Sequence, residues 1–208
     1  LARGGVLHVV AVDDVGTVAC HFHGVVGQGL KEGREGRIAL GDPVSRHLPE
    51  LKHLQVGVER PGPDGKPVLA LEPARREMTV QDLLRHTSGL TYGVFGKSLV
   101  KDAYLKANMR PGDDAVDFDN AELVRRVAQL PLAYQPGSTW EYSISTDVLG
   151  AVVEALDGQP LGQALQRRLF APLGMASTGF SVAGTAEAEL ASAFADDGGW
   201  HATIPAIG

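Results

Sequence analysis

Tyr142-Ser143-Ile144-Ser145-Thr146-Asp147 lies between two kinds of sequence that cannot share one element. Upstream stand Pro131 and Pro136-Gly137, and proline inside a helix lacks the amide donor and clashes with the preceding turn. Downstream, Val148, Leu149, Val152, Val153 and Leu156 recur at helical spacing until Gly158. A helix therefore starts after Ser145 or Thr146 and stops at that glycine, which can take the left-handed conformation of a helix end. Tyr142 falls where an irregular segment turns into a buried helix.

The same reasoning places other helices. Thr79 is suited to cap a helix, with Asp82 three residues on completing a capping-box pair and Val80, Leu83 and Leu84 forming the buried face. That helix stops before Gly89, and a loop rich in glycine and charge is expected after it. Another helix starts near Asn120, with Leu123, Val124, Val127 and Leu130 on one face, and Pro131 and Pro136 close it. A last one runs from Pro160 through Leu161, Leu165 and Leu169 to Pro172. Arg37 to Val44 reads as a short apolar segment ending in a turn, and Pro61 to Pro67 as a loop around Pro63-Asp64-Gly65.

Residues 1–36 have a different character. Glycines at 24, 27, 29, 33 and 36 and histidines at 8, 21 and 23 leave no sustained helical period, and only Val6 to Val12 suggests a strand. The reading divides the chain into an atypical segment at 1–36 and a domain at 37–208. Both ends are expected to be cut, since the chain begins at Leu1 and stops at Gly208 without a terminating element.

Composition narrows the function classes. A net charge of −6 offers no electrostatic reason to bind nucleic acid or an anionic membrane, so no nucleic-acid partner is expected. No stretch is long enough to span a bilayer, and Val6 to Val12 is a poor signal peptide. The single cysteine, Cys20, excludes an internal disulfide framework and a thiolate-rich zinc site. It leaves the compartment open, with the cytoplasm favoured over the periplasm. No metal and no cofactor are called for.

Tyr142 is the candidate catalytic residue. A phenol at a helix entry can act as general base when a nearby ammonium lowers its pKa. Ser143 and Ser145 are the candidate site-lining residues beside it. The plainer alternative is that Tyr142 packs in the core with its hydroxyl bonded to backbone.

The order Pro136-Gly137, Trp140, Tyr142-Ser143, Val148-Leu149-Gly150 and Pro172-Leu173-Gly174-Met175 resembles the serine β-lactamase and penicillin-binding protein group, and within it the family VIII carboxylesterases. His86-Thr87-Ser88-Gly89-Leu90, Asp42-Pro43-Val44 and Leu48-Pro49-Glu50 resemble that group's other segments, so the likeness runs from about Arg37 to Phe180. It implies an α+β fold of β-lactamase/transpeptidase type, with most of the helical region and part of the antiparallel sheet. It also implies a serine hydrolase that acts through an acyl-enzyme on a small-molecule ester or β-lactam. Short-chain carboxylic esters come first, because two residues after the tyrosine, where the motif often carries asparagine, stands Ile144, followed by Ser145, which is closer to the esterase branch than to typical β-lactamases.

In that group the nucleophilic serine and its lysine, spaced S-x-x-K, sit on a helix just before the part matching Arg37 to Val44. No serine precedes Ser45 in this chain, so the nucleophile is unknown. Ser98-Leu99-Val100-Lys101 has the letters but is read as a chance match in a surface loop. Cys20-His21-Phe22-His23 offers a thiol with a histidine partner, or two metal ligands, without the helix such a pair needs. The group's third signature, near an oxyanion strand, is absent, and Gly198-Gly199-Trp200 has the wrong order. A frameshift replacing residues 1 to about 35 would account for the missing pair. A degenerate, catalytically inactive or truncated member is the competing explanation.

Overall fold

A computed structural model describes residues 37–109, 118–176 and 178–180, with the backbone of three two-residue strands at 10–11, 193–194 and 200–201. Strand β1 (Val10–Ala11) comes first. Two 3-10 turns, Val44–Arg46 and Pro49–Leu51, lead into a hairpin of β2 (Gln55–Pro61) and β3 (Pro67–Pro73). The helices follow as α1 (Val80–Leu84), α2 (Leu99–Lys106), α3 (Asn120–Val127), α4 (Ser145–Asp157) and α5 (Leu161–Leu165), the last running on into a π-turn at Gln166–Phe170. Strand β4 (Thr178–Gly179) pairs antiparallel with β1, and β5 (Ala193–Phe194) with β6 (Trp200–His201).

Helix α4 is the spine. Helices α1, α3 and α5 all pack on it, and Val148 and Val152 on its inner face are 0% and 1% exposed. With Val44, Leu83 and Val127, also fully buried, they form one continuous core in which each side chain contributes about 1.5–3 kcal/mol by leaving water. A Cβ on Gly150 would come within 2.9 Å of Leu161 Cδ2, so the glycine lets α5 approach closely. Gly158 ends α4 at φ 69°, and the Glu154 side chain accepts a hydrogen bond from the Leu161 amide at 2.7 Å, turning the corner.

The Thr79 capping box forms as the sequence indicates. Thr79 Oγ1 accepts from the Asp82 amide at 3.2 Å, and an Asp82 carboxylate oxygen accepts from the Thr79 amide at 2.9 Å. Asp119 caps α3 with a single bond, its carboxylate accepting from the Glu122 amide at 2.8 Å. Two expectations change. The segment after Gly89 is not all loop, because Leu99–Lys106 is helical with Ser98 as its cap. The Pro61 to Pro67 loop is the turn of a hairpin whose strands are mostly exposed and show no clean alternation. Beyond Val10–Ala11, the residues before Arg37 lie outside the described part, and with them Cys20, His21 and His23.

Candidate functional site

The site is built by two segments zipped together at the exit of α1. Glu141 donates its amide to the His86 carbonyl at 2.9 Å, Gly137 to Thr87 at 2.7 Å, and Ala133 to Gly89 at 2.7 Å. This needs unusual backbone. His86 stands at φ 54°, and Gly89 at φ 88° passes so close to Tyr134 that a Cβ would lie 2.2 Å from its carbonyl oxygen.

Under the zipper runs a chain of hydroxyls. Ser88 Oγ lies 2.7 Å from Ser145 Oγ, which lies 2.7 Å from Ser143 Oγ, and His86 Nδ1 is 3.4 Å beyond. The Leu90 amide donates to Ser88 Oγ at 3.1 Å. All three serines are 0% exposed. With His86 accepting at Nδ1, every hydroxyl proton in the chain is used. Burial pushes the His86 pKa down, which keeps the ring neutral and suits that arrangement. The structure thus places Ser143 and Ser145 beneath Tyr142, holding the turn from inside, and gives neither an open surface.

Tyr142 itself points outward. It is 52% exposed, and its ring sits 5.0 Å from His86, 5.5 Å from Tyr92 and 6.0 Å from Phe95. Trp140, 65% exposed, stands 6.3 Å from His86 and extends the same face. Neighbouring Tyr92 is buried instead, and its hydroxyl donates to Asp147 Oδ2 at 3.1 Å. Burial, reinforced by the Asp147 charge, raises the Tyr92 pKa far above its ordinary value and makes that phenol a fixed donor. The Tyr142 hydroxyl has no hydrogen-bond partner among the described residues, so of the two phenols it is the one a ligand can reach.

Lys101 reaches this face from α2. Its ammonium lies 2.8 Å from Glu141 Oε1 and donates to the Phe95 carbonyl, and the Thr91 hydroxyl donates to the same Glu141 oxygen at 2.7 Å. Sequence reasoning missed this group. Glu141 beside the candidate tyrosine was the available signal, but its partners lie 40 and 50 residues away and nothing local points to them. Ser98 is a helix cap, its Oγ accepting from the Lys101 amide at 3.1 Å at the start of α2.

Below the same turn Asp82 is almost fully buried. Burial alone would raise its pKa, but the paired bonds from Arg76 at 2.6 and 3.0 Å, with those from the Thr79 amide, the Thr79 hydroxyl and Thr87, bring it down to about 2. A cavity of about 530 Å³ opens nearby between Leu54, Met78, Leu132 and Pro136. Of its charged groups Lys52, Arg76 and Glu77, the last two are engaged by Asp82 and Ser45, and it shares no residue with the Tyr142 face. Its lining includes His53 but no serine, threonine, cysteine or tyrosine, so it is a weaker candidate for acyl transfer than the exposed phenol. Among the described residues no cluster of three or more His, Cys, Asp or Glu could hold a metal, and no helix is long and apolar enough to cross a membrane.

The chain as a whole has known relatives. The family profile described as Beta-lactamase matches residues 28–207. The chain belongs to the beta-lactamase family. The match reaches upstream of Arg37, where the sequence reading first found the likeness. Within the family, the chain is 41% identical over 146 residues to Esterase EstB of Burkholderia gladioli, covering 70% of this chain and 33% of that protein. It is 36% identical over 160 residues to Protein Rv1367c of Mycobacterium tuberculosis (strain ATCC 25618 / H37Rv), covering 77% and 37%. Among solved structures it is similar to EstCE1, a hydrolase with promiscuous acyltransferase activity, with a TM-score of 0.63 at 29% identity over 82% of this chain and 40% of that one. The fold is therefore β-lactamase/transpeptidase-like, with helices beside a small antiparallel sheet. The chain spans about a third of the length of these curated relatives.

Proposed function

We propose that this chain carries the proton-shuttling part of a carboxylesterase of the beta-lactamase family, with Tyr142 as the catalytic phenol. The observation that carries the reading is the contrast at one turn, where Tyr142 is half exposed with no hydrogen-bond partner for its hydroxyl among the described residues, while the buried Ser88, Ser145 and Ser143 chain fixes the backbone beneath it. Ser143 and Ser145 act in this reading by supporting the site wall from behind. The 41% identity to an esterase favours ester substrates over β-lactams, as does Ile144 in the tyrosine motif.

The chemistry needs a serine oxygen to attack the ester carbonyl carbon. The serine proton passes through a lysine and the Tyr142 phenol to the leaving alkoxide, the acyl carbon–oxygen bond to the alcohol breaks, and an acyl-serine remains. Water then takes the acyl group as the carboxylic acid and returns the proton to the serine. Short-chain carboxylic esters are the proposed substrates, and a β-lactam or D-alanyl peptide is the second choice.

No serine precedes Ser45, and Ser98 serves as the cap of α2. That observation favours a second reading, a chain that keeps the wall of the site without its nucleophile. Incubation of the purified protein with a fluorophosphonate probe, followed by intact mass and peptide mapping, separates the two. An adduct on a serine establishes a working hydrolase and identifies the nucleophile. Folded protein with no adduct establishes the inactive reading.

A further inference from the structure

We infer that Lys101 is the positioning residue of the Tyr142 face, acting through Glu141 and the Phe95 carbonyl. The inference rests on the reading of Tyr142 as the working phenol. Exposed aromatic rings hold one another only weakly, since a ring pair adds about 0.5–1.5 kcal/mol beyond its burial. A catalytic group, however, needs its geometry held by its surroundings before substrate arrives. The backbones that bear the rings must therefore be fixed by something else.

Two backbones meet here. One carries Tyr92 and Phe95, the other Trp140 and Tyr142, and the Phe95 and Tyr142 rings touch across the gap at 6.0 Å. One ammonium bridges them. Lys101 Nζ donates to the Phe95 carbonyl on the first and pairs with Glu141 at 2.8 Å on the second, next to Tyr142 itself. Thr91 adds a hydroxyl to the same carboxylate from the first backbone at 2.7 Å. The Lys101 and Glu141 side chains are only 13% and 17% exposed, so the pair is screened less than a surface pair.

The surroundings are shaped for this bridge. Ser98 caps α2 at the Lys101 amide, and Glu59 of β2 accepts from the Leu99 amide at 2.7 Å, which anchors the helix start that aims the lysine. The loop must pass close over α2 to be reached. A Cβ at Gly93 would lie 2.8 Å from the Lys101 carbonyl, and Gly96, at φ 81°, leaves just enough room for the ammonium, with a Cβ there 3.3 Å from Nζ. The Ser98-x-x-Lys101 letters thus have a use unlike the one their pattern suggests. They cap a helix so that its lysine can clamp the tyrosine segment. Because the ammonium is already committed to Glu141, Lys101 works by holding geometry.

The test compares the parent 208-residue chain with Lys101→Met and with the double variant Lys101→Met/Glu141→Met. Replacing both members of a shielded ion pair by apolar groups is commonly neutral for stability, and the Thr91 hydroxyl, once Glu141 is gone, has the Tyr92 carbonyl at 3.1 Å as its alternative acceptor. The double variant should therefore fold even where the single one fails. The readout is the NMR cross-peak between the Phe95 and Tyr142 rings, with the α4 amide spectrum and Tm as controls. Loss of the cross-peak with unchanged α4 amides and Tm is expected. A retained cross-peak in the folded double variant overturns the inference. The cross-peak does not depend on turnover. Its loss combined with no probe adduct on the parent chain removes the hydrolase reading and leaves the clamp, whereas an adduct with the cross-peak retained does the reverse.

Discussion

The two sides of the turn after α1 are built on opposite terms. On the inner side Asp82, Ser88, Ser143 and Ser145 are buried and every one of them is hydrogen-bonded. On the outer side Phe95, Trp140 and Tyr142 are about half exposed or more, and the Tyr142 hydroxyl has no partner within the described residues. Polar groups taken out of water must be paired, so the inner side reports on stability. Large aromatic groups left in water have not been used to stabilise the fold, so the outer side reports on what the fold presents. The difference predicts that substitutions should divide by side, costing stability within and ligand chemistry without.

The largest effect is expected at Asp82. Asp82→Ala removes the capping box and leaves Arg76 unpaired, at a cost of about 3 kcal/mol read by urea unfolding. A pH series sharpens this. The folded Asp82 pKa of about 2 lies below the ordinary 3.8, so its contribution is complete above about pH 4 and is lost as pH falls toward 2. The parent chain should lose stability across that window, and Asp82→Asn should lose clearly less. Equal slopes would show that the carboxylate is not held as described.

Next in size is Ser145→Ala, which takes one partner from both Ser88 and Ser143 and should cost about 1–3 kcal/mol. An unchanged urea midpoint would mean that the hydroxyl chain holds nothing. Lowering the pH below 6.5 should also destabilise the parent chain through His86, because burial depresses its folded pKa and the unfolded ring takes up a proton first. His86→Asn should flatten that part of the profile.

The smallest stability effect is expected at Tyr142→Phe, within about 0.5 kcal/mol, since it keeps the ring and removes an exposed hydroxyl with no hydrogen-bond partner among the described residues. The same variant should abolish any probe adduct that the parent chain forms. A large loss of stability at Tyr142 would erase the contrast between the two sides.

How much of this was legible depended on the range of the interactions. The Thr79 and Asp82 pair, the apolar stripe of α3 and the Gly158 stop could all be read because their partners lie within a turn or two. Helix α2 was missed, since only Val100 and Tyr104 of its eight residues are buried and its stripe is thin. The hairpin strands were missed because most of their residues are exposed on both faces, which removes the alternation that marks a strand. The Ser98-x-x-Lys101 match shows a degeneracy of spacing. A nucleophile and its lysine, and a capping serine and the amide it caps, both stand three residues apart.

By itself the sequence determined the family and some of the helix ends, among them the Thr79 cap and the Gly158 stop, and it singled out Tyr142, because caps, breakers and helical periods are local and a motif is a pattern along the chain. Only the tertiary structure decided that Ser143 and Ser145 lie under the surface while Tyr142 faces out. It alone joined Lys101 to Glu141 and Ser88 to Ser145. Those pairings are 40 and 57 residues apart, and they form only once packing on α4 has brought separate segments within hydrogen-bonding distance.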